Sequence, residues 1–308
     1  MVGMKIRTKA VWGTCVLLAL LGHPATALAQ ATTPQPAQPA TPAAAQPRAS
    51  DPDSRLDPLQ PDFTLAALPT TLRMPVHKFG FRVTHRFSRS LGSGDASDLF
   101  SNFFGFDSGA RIGLELRYGL LPGTQLDFYR TSDRSIQLSV QQSVLKETAD
   151  GHPLSLDVIA TLEGANNFRS FESSPGTETA AQKSSTLGLL LSKKIRKVAA
   201  LYVEPMFVVN SNPAASGSGV DNNTLMMGLG GRFRIRPATY LVGEVTPRLS
   251  GYKPGVDQAS FAIEMRSGGH TFQINVSNGF GSTLRQLTDS GVSGDSWFIG
   301  FNISRKFF

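Results

Sequence analysis

The chain has 308 residues, with 17 % charged side chains, 30 glycines, 20 phenylalanines and a net charge of +7. Charged residues fall below the roughly 25 % usual in soluble domains, and so many aromatic side chains exclude a wholly disordered chain. No run of about 18 apolar residues could span a bilayer as a helix, and a single cysteine excludes a disulfide scaffold or a cysteine-rich metal site.

Residues 1–29 read as a cleaved export signal. Lys5, Arg7 and Lys9 make a basic start, Val11 to Leu21 is apolar, and Ala27-Leu28-Ala29 supplies the small residues of a cleavage site. Cys15 lies inside the apolar stretch, so the mature chain has no cysteine, which suits an oxidising compartment. Removing the three basic residues of the signal lowers the net charge from +7 to +4. That balance does not point to nucleic acid, which calls for basic residues clustered on one face. Residues 30–50 contain five Pro, seven Ala and four Gln, a composition that stays extended without packing. Residues 51–72 keep four prolines but add Phe63, Leu65 and Leu68. We therefore assign 30–72 to a disordered periplasmic spacer, whose last part either continues as tail, docks on the folded domain, or enters its interior.

From Arg73 to Phe308 the period is two. Phe79, Phe81, Val83 and Phe87 alternate with Gly80, Arg82, Thr84 and Arg86, and Ile112, Leu114, Leu116 and Tyr118 alternate with Arg111, Gly113, Glu115 and Arg117. Successive side chains of a strand point to opposite faces, so each such run has one apolar and one polar face. The expected strands lie near 77–88, 109–119, 123–130, 135–146, 154–163, 185–194, 200–210, 224–235, 239–247, 258–267, 270–279 and 296–307. The sixth, seventh and ninth alternate poorly. Their lengths suit a tilted crossing of a bilayer. Long and short connections alternate along the chain, with 131–134 the one short member of the long set. This predicts an all-β fold, an antiparallel transmembrane up-and-down β-barrel of about twelve strands over 73–308, with long loops outside and both termini in the periplasm. The chain ends Lys306-Phe307-Phe308. A terminal aromatic is what the barrel-assembly machinery would read, and the outward parity of the last strand runs to Phe307.

Several segments resemble a family of uncharacterised bacterial β-barrel proteins, a domain of unknown function. They are Leu68-Pro69-Thr70-Thr71-Leu72-Arg73-Met74-Pro75, then Phe81-Arg82-Val83-Thr84-His85-Arg86-Phe87, then Gly113-Leu114-Glu115-Leu116-Arg117-Tyr118-Gly119, and then Tyr129-Arg130-Thr131-Ser132-Asp133-Arg134. The resemblance is dense from about 68 to 145 and looser afterwards. It implies a barrel in the outer membrane and carries over no catalytic residue.

The polar face carries Arg82, Arg86, Glu115, Arg117, Asp127, Glu163, Glu204, Arg232, Arg234, Glu244, Glu264 and Arg266. Such charges either pair and fill the lumen or line a wet pore and set its selectivity. Arg130, Asp133 and Arg134 form a charged cluster at a tight turn. It either holds an anionic group between arginine forks or is a turn organised by Asp133. Residues 95–106 break the strand pattern, with Asp95 or Ser97 as a helix cap. The phenylalanines of that segment suit the membrane interface or loop packing better than a constriction. His85 and Ser88 sit on opposite faces of one strand, and none of His77, His85, His152 and His270 lies in a nucleophile motif. We expect no enzyme, cofactor or metal site. The sequence supports a passive outer-membrane pore for small solutes, or else a closed barrel with a structural or partner-binding role. Its surroundings would be outer-membrane lipid.

Overall fold

The computed structural model describes residues 57–174, 177–179, 182–213, 220–289 and 291–307. The signal (1–29), the spacer up to residue 56, and Phe308 lie outside the described residues. The strands are β1 (Phe79–Ser90), β2 (Ala110–Leu121), β3 (Thr124–Thr131), β4 (Ile136–Leu145), β5 (Ser155–Gly164), β6 (Phe171–Ser174), β7 (Thr177–Thr179) and β8 (Lys183–Ile195). They continue with β9 (Ala199–Val209), β10 (Thr224–Arg236), β11 (Thr239–Thr246), β12 (Arg248–Gly251), β13 (Gln258–Ser267), β14 (His270–Ser277) and β15 (Phe298–Phe307). The short β6 and β7 form a hairpin within one loop. β12 carries on from β11 past Pro247 and pairs with β10. The other twelve are the twelve strands expected from the alternation.

Every neighbouring pair is antiparallel, and β1 closes on β15 through Phe79↔Phe307, Arg82↔Ser304 and Arg86↔Gly300. Closure leaves no open edge, which a bilayer interior requires because it offers backbone groups no partner. The outward faces carry Leu114, Leu187, Ile263 and Ile274, each more than half exposed. A continuous apolar band of this kind needs lipid to cover it. Phe307 faces outward and stacks on Phe79 at 4.6 Å between ring centroids.

Both described ends meet one rim of the barrel, which also carries the connections 122–123, 196–198, 237–238 and 268–269. The longest connections, including 91–109, 165–182 and 278–297, lie at the other rim. In the first of these, α1 (Ala96–Ser101) is capped by Asp95, with a reciprocal bond from Asp98. The loop then folds back over the outer face, where Phe106 meets Phe87 at 4.7 Å. Phe100 and Phe103 stay exposed there, so this segment does not constrict the lumen.

Eight strands make a barrel that side chains alone can fill, and twelve leave more room. Two segments take up that room. Residues 57–76 enter from the terminus-side rim, and residues 279–289 fold inward from the long-loop rim. The assignment of 57–72 to a disordered spacer is therefore corrected. Leu59, Phe63, Leu65 and Leu68 are each at most 5 % exposed. Burial of these side chains, together with polar partners for their backbone, offsets the entropy of ordering the segment. Composition alone registers the prolines and misses the walls that receive the leucines.

Candidate functional site: a plugged lumen

The inner wall has two chemically distinct sides. From β13 through β14, β15, β1, β2, β3 and β4 the buried inward residues are almost all polar, including Gln273, Asn302, Lys306, Arg82, Arg86, Glu115, Arg117, Asp127 and Gln141. From β5 to β11 the wall carries Ile159, Leu190, Tyr202, Met206, Val208, Met226 and Val242 among buried polar residues such as Asp157, Glu163, Thr186, Glu204, Arg232 and Glu244. This explains why the sixth, seventh and ninth strands alternate poorly. β8, β9 and β11 face lipid with apolar residues and also turn Leu190, Tyr202, Met206, Val208 and Val242 inward.

Ion pairs on the wall link nearby strands. Glu115 takes Arg82 at 2.6 Å and Arg117 at 2.5 Å, and Arg232 meets Glu264 at 2.9 Å. Contacts that reach into the lumen end on the plug. Residues 63–70 make a tight turn closed by Leu65 N donating to the Leu68 carbonyl and Thr70 N donating to the Phe63 carbonyl. Side chains from both sides of the wall donate to its carbonyls. Arg117 reaches Phe63 O, Arg232 reaches Thr64 O at 2.7 Å, and Gln273 reaches Leu65 O. Arg86 and Asn302 converge on Ala66 O. Opposite, the Glu244 carboxylate accepts the backbone N–H groups of Ala66, Ala67 and Leu68 at 3.0–3.1 Å. Leu65 and Leu68 join the apolar cluster of the β8–β11 side. Arg73 forks onto Asp157, and Asp62 lies 3.6 Å from Lys306 and accepts Ser304.

Two glycines on β10 admit the plug. A Cβ on Gly228 would come within 2.9 Å of Leu68, and one on Gly230 would collide with Leu65. Gly228 and Gly230 thus relieve crowding inside a strand, and the crowding partner is the plug.

The inward loop from the other rim is pinned separately. Leu284 N donates to Gln137, Arg285 bridges Glu163 at 3.2 Å and Asp289 at 3.0 Å, and Gln286 donates to Asp133. Burial pushes the Asp289 carboxyl up against the opposing pull of Arg285. Leu284 and Leu287 join the same apolar cluster as the plug leucines. Between plug and loop there is a void of about 20 Å³, room for about one water. A vestibule of about 450 Å³ opens at the terminus-side rim beside Arg73, Lys146, Glu147 and Lys194.

Of the residues singled out from sequence, Arg82, Arg86, Glu115, Arg117, Asp127, Glu163, Arg232 and Glu264 are buried on the inner wall. Arg234 and Arg266 are half-buried near the terminus-side rim, with Arg234 donating to Pro237 O. The turn cluster is tied into the neighbouring loops. Asp133 accepts Thr131 and Gln286, Arg130 reaches Asn167 at 3.4 Å, and Arg134 takes a left-handed backbone with φ 65°. Sequence reasoning missed Asp62, Arg73, Asp157 and Arg285. The available signal was the leucines between the prolines of 57–72, together with apolar residues at inward positions of β8, β9 and β11.

His77 bonds the Tyr118 hydroxyl, His85 stacks on Phe301, and His270 meets Arg305. Among the described residues no three His, Cys, Asp or Glu side chains come together as metal ligands would.

A family model described as a membrane bound beta barrel domain, DUF5777, matches residues 62–307. The chain belongs to this family. The family match begins at Asp62, so it takes in the turn that occupies the lumen as well as the barrel. No curated protein matches the chain by sequence. Among solved structures, the COG4313 outer membrane channel from Pseudomonas putida F1 is 12 % identical, with a TM-score of 0.48, over 77 % of this chain and 98 % of that one. The NanC porin is 12 % identical at TM-score 0.47, over 75 % and 99 % of the two chains. Outer membrane phospholipase A from Escherichia coli is 12 % identical at TM-score 0.41, over 77 % and 92 %. These similar structures include channels and an enzyme, so the likeness does not choose between them.

Proposed function

We propose that the protein is an outer-membrane channel for small solutes, closed at rest by its own residues 57–76 and by the inward loop at 279–289. In this reading the termini face the periplasm and the long loops face outward. The observation that carries it is how the plug is held. Its seat combines hydrogen bonds between plug backbone and wall side chains, ion pairs from Arg73 and Asp62, and the apolar contacts of Leu59, Leu65 and Leu68, with small Ala66 and Ala67 at the tip. Such contacts can be exchanged for water one at a time, and the barrel ladder does not depend on them.

The second reading is a permanently closed barrel. The apolar cluster shared by wall, plug and loop favours it, because a water-filled conduit has a polar interior. Planar-bilayer recording decides between them. The full chain should be silent apart from brief openings. The double variant Leu65→Asp, Leu68→Asp, which sets carboxylates against the apolar wall, should conduct persistently when combined with Arg285→Ala. A combined variant that is folded, as judged by heat-modifiable mobility, and still silent would overturn the channel reading.

A further inference from the structure

We infer that the lumen contains a binding site for short leucine-containing peptides, which residues 63–70 of the chain occupy as an internal surrogate. The inference deepens the gated-channel reading and rests on it.

The wall recognises main-chain atoms from both chemical sides. Arg86 and Arg232 donate to carbonyl oxygens, while Glu244 accepts three consecutive backbone N–H groups. An apolar carboxylate would leave Glu244 buried without a donor. An apolar amine would supply no acceptor for the Arg86 Nη2 group that now reaches Ala66 O. A polyol would not fill the side formed by Leu190, Met226 and Val242. An amide chain with leucine side chains supplies donors, acceptors and apolar contact together, and burying any of these wall groups unpaired is unfavourable.

The wall is also cut to leucine. Gly228 and Gly230 are the two inward positions of β10 where a Cβ would run into Leu68 and Leu65. Met206 and Met226 lie in the same cluster, and unbranched, polarizable methionine adapts to varied apolar partners.

The test uses the full chain carrying Leu65→Asp and Leu68→Asp, folded as judged by heat-modifiable mobility, with Leu68→Ser as the substitute if the double variant does not fold. The probe is the octapeptide Phe-Thr-Leu-Ala-Ala-Leu-Pro-Thr with a free amino terminus and photoreactive leucines. It should crosslink to β8–β11. Unlabelled peptide should compete, and its serine-for-leucine version should not. No crosslink in the lumen, or equal competition by octanoate or octylammonium, overturns the peptide site. Conductance is scored separately on the same variant combined with Arg285→Ala. A silent bilayer with a specific crosslink refutes gating and keeps the site, whereas an open channel without a crosslink does the reverse.

Discussion

Replacing Glu244 with glutamine should loosen the plug without touching the barrel ladder. The carboxylate accepts from Ala66 N at 3.0 Å, from Ala67 N at 3.0 and 3.1 Å, and from Leu68 N at 3.1 Å. A hydrogen bond to a charged group contributes about 1.5–3 kcal/mol. Glutamine keeps one acceptor oxygen and turns the other position into a donor facing N–H groups. At least one of the three bonds is then lost, so the docked plug should lose about 1.5–3 kcal/mol for each bond lost, with the rest of its seat intact. At about 1.4 kcal/mol per tenfold, the undocked population should rise at least roughly 10- to 140-fold. Single-channel recording in planar bilayers reads this as opening frequency, with both proteins also carrying Arg285→Ala so that the inward loop does not mask the plug. Arg285→Ala alone sets the baseline, and heat-modifiable mobility confirms that the variant is folded. A folded Glu244→Gln, Arg285→Ala protein that opens no more often than Arg285→Ala alone would refute the claim that this carboxylate holds the plug.

Other substitutions probe the remaining contacts. Arg73→Ala removes the cation that neutralises the buried Asp157, and an uncompensated buried charge costs about 3–5 kcal/mol. Limited proteolysis should cut within 57–76 at least about tenfold faster than in wild type. Gly119→Val places a side chain where the Pro75 backbone crosses β2, so the variant should lose its folded, heat-resistant mobility at a lower temperature. Phe307→Ala removes the ring stacked on Phe79, a contact worth about 0.5–1.5 kcal/mol beyond burial, and folding into lipid vesicles should slow. Arg285→Ala leaves Glu163 without its guanidinium. A cysteine at Ser282, buried in wild type, should then react faster with a soluble maleimide.

The barrel was legible in the chain because its cause is local. One face of each strand meets lipid and the other meets the interior, so a period of two is written into every crossing. Short turns such as Pro122-Gly123 and Gly268-Gly269 mark where the chain reverses. Phe307 was also readable, since parity in β15 puts it outward and Lys306 inward. The charged members of the polar face were found for the same reason. Arg82, Glu115, Arg232 and Glu264 sit on inward positions, and their burial follows from parity once the strands close.

The failures of alternation carried as much information as its successes. Leu190 on β8, Tyr202 and Met206 on β9 and Val242 on β11 broke the pattern because their inward neighbour is an apolar segment of the same chain rather than water. Nothing local distinguishes that from a weakly predicted strand. The partners of Glu244 lie 176–178 residues away in sequence, Asp157 finds Arg73 at a separation of 84, and Lys306 finds Asp62 across most of the described chain.

The sequence alone determined the number of crossings, which side chains face inward, and the sharing of lipid-facing and polar roles along each strand, since nearest-neighbour geometry sets these. Only the tertiary structure decided what fills the interior. A twelve-strand wall encloses more space than its own side chains occupy. Whether water or chain takes that space depends on whether a distant segment can offer carbonyls to Arg86 and Arg232, N–H groups to Glu244 and leucines to β8–β11 all at once. Residues 57–76 do so, because closing the barrel brings these groups from many strands around one turn.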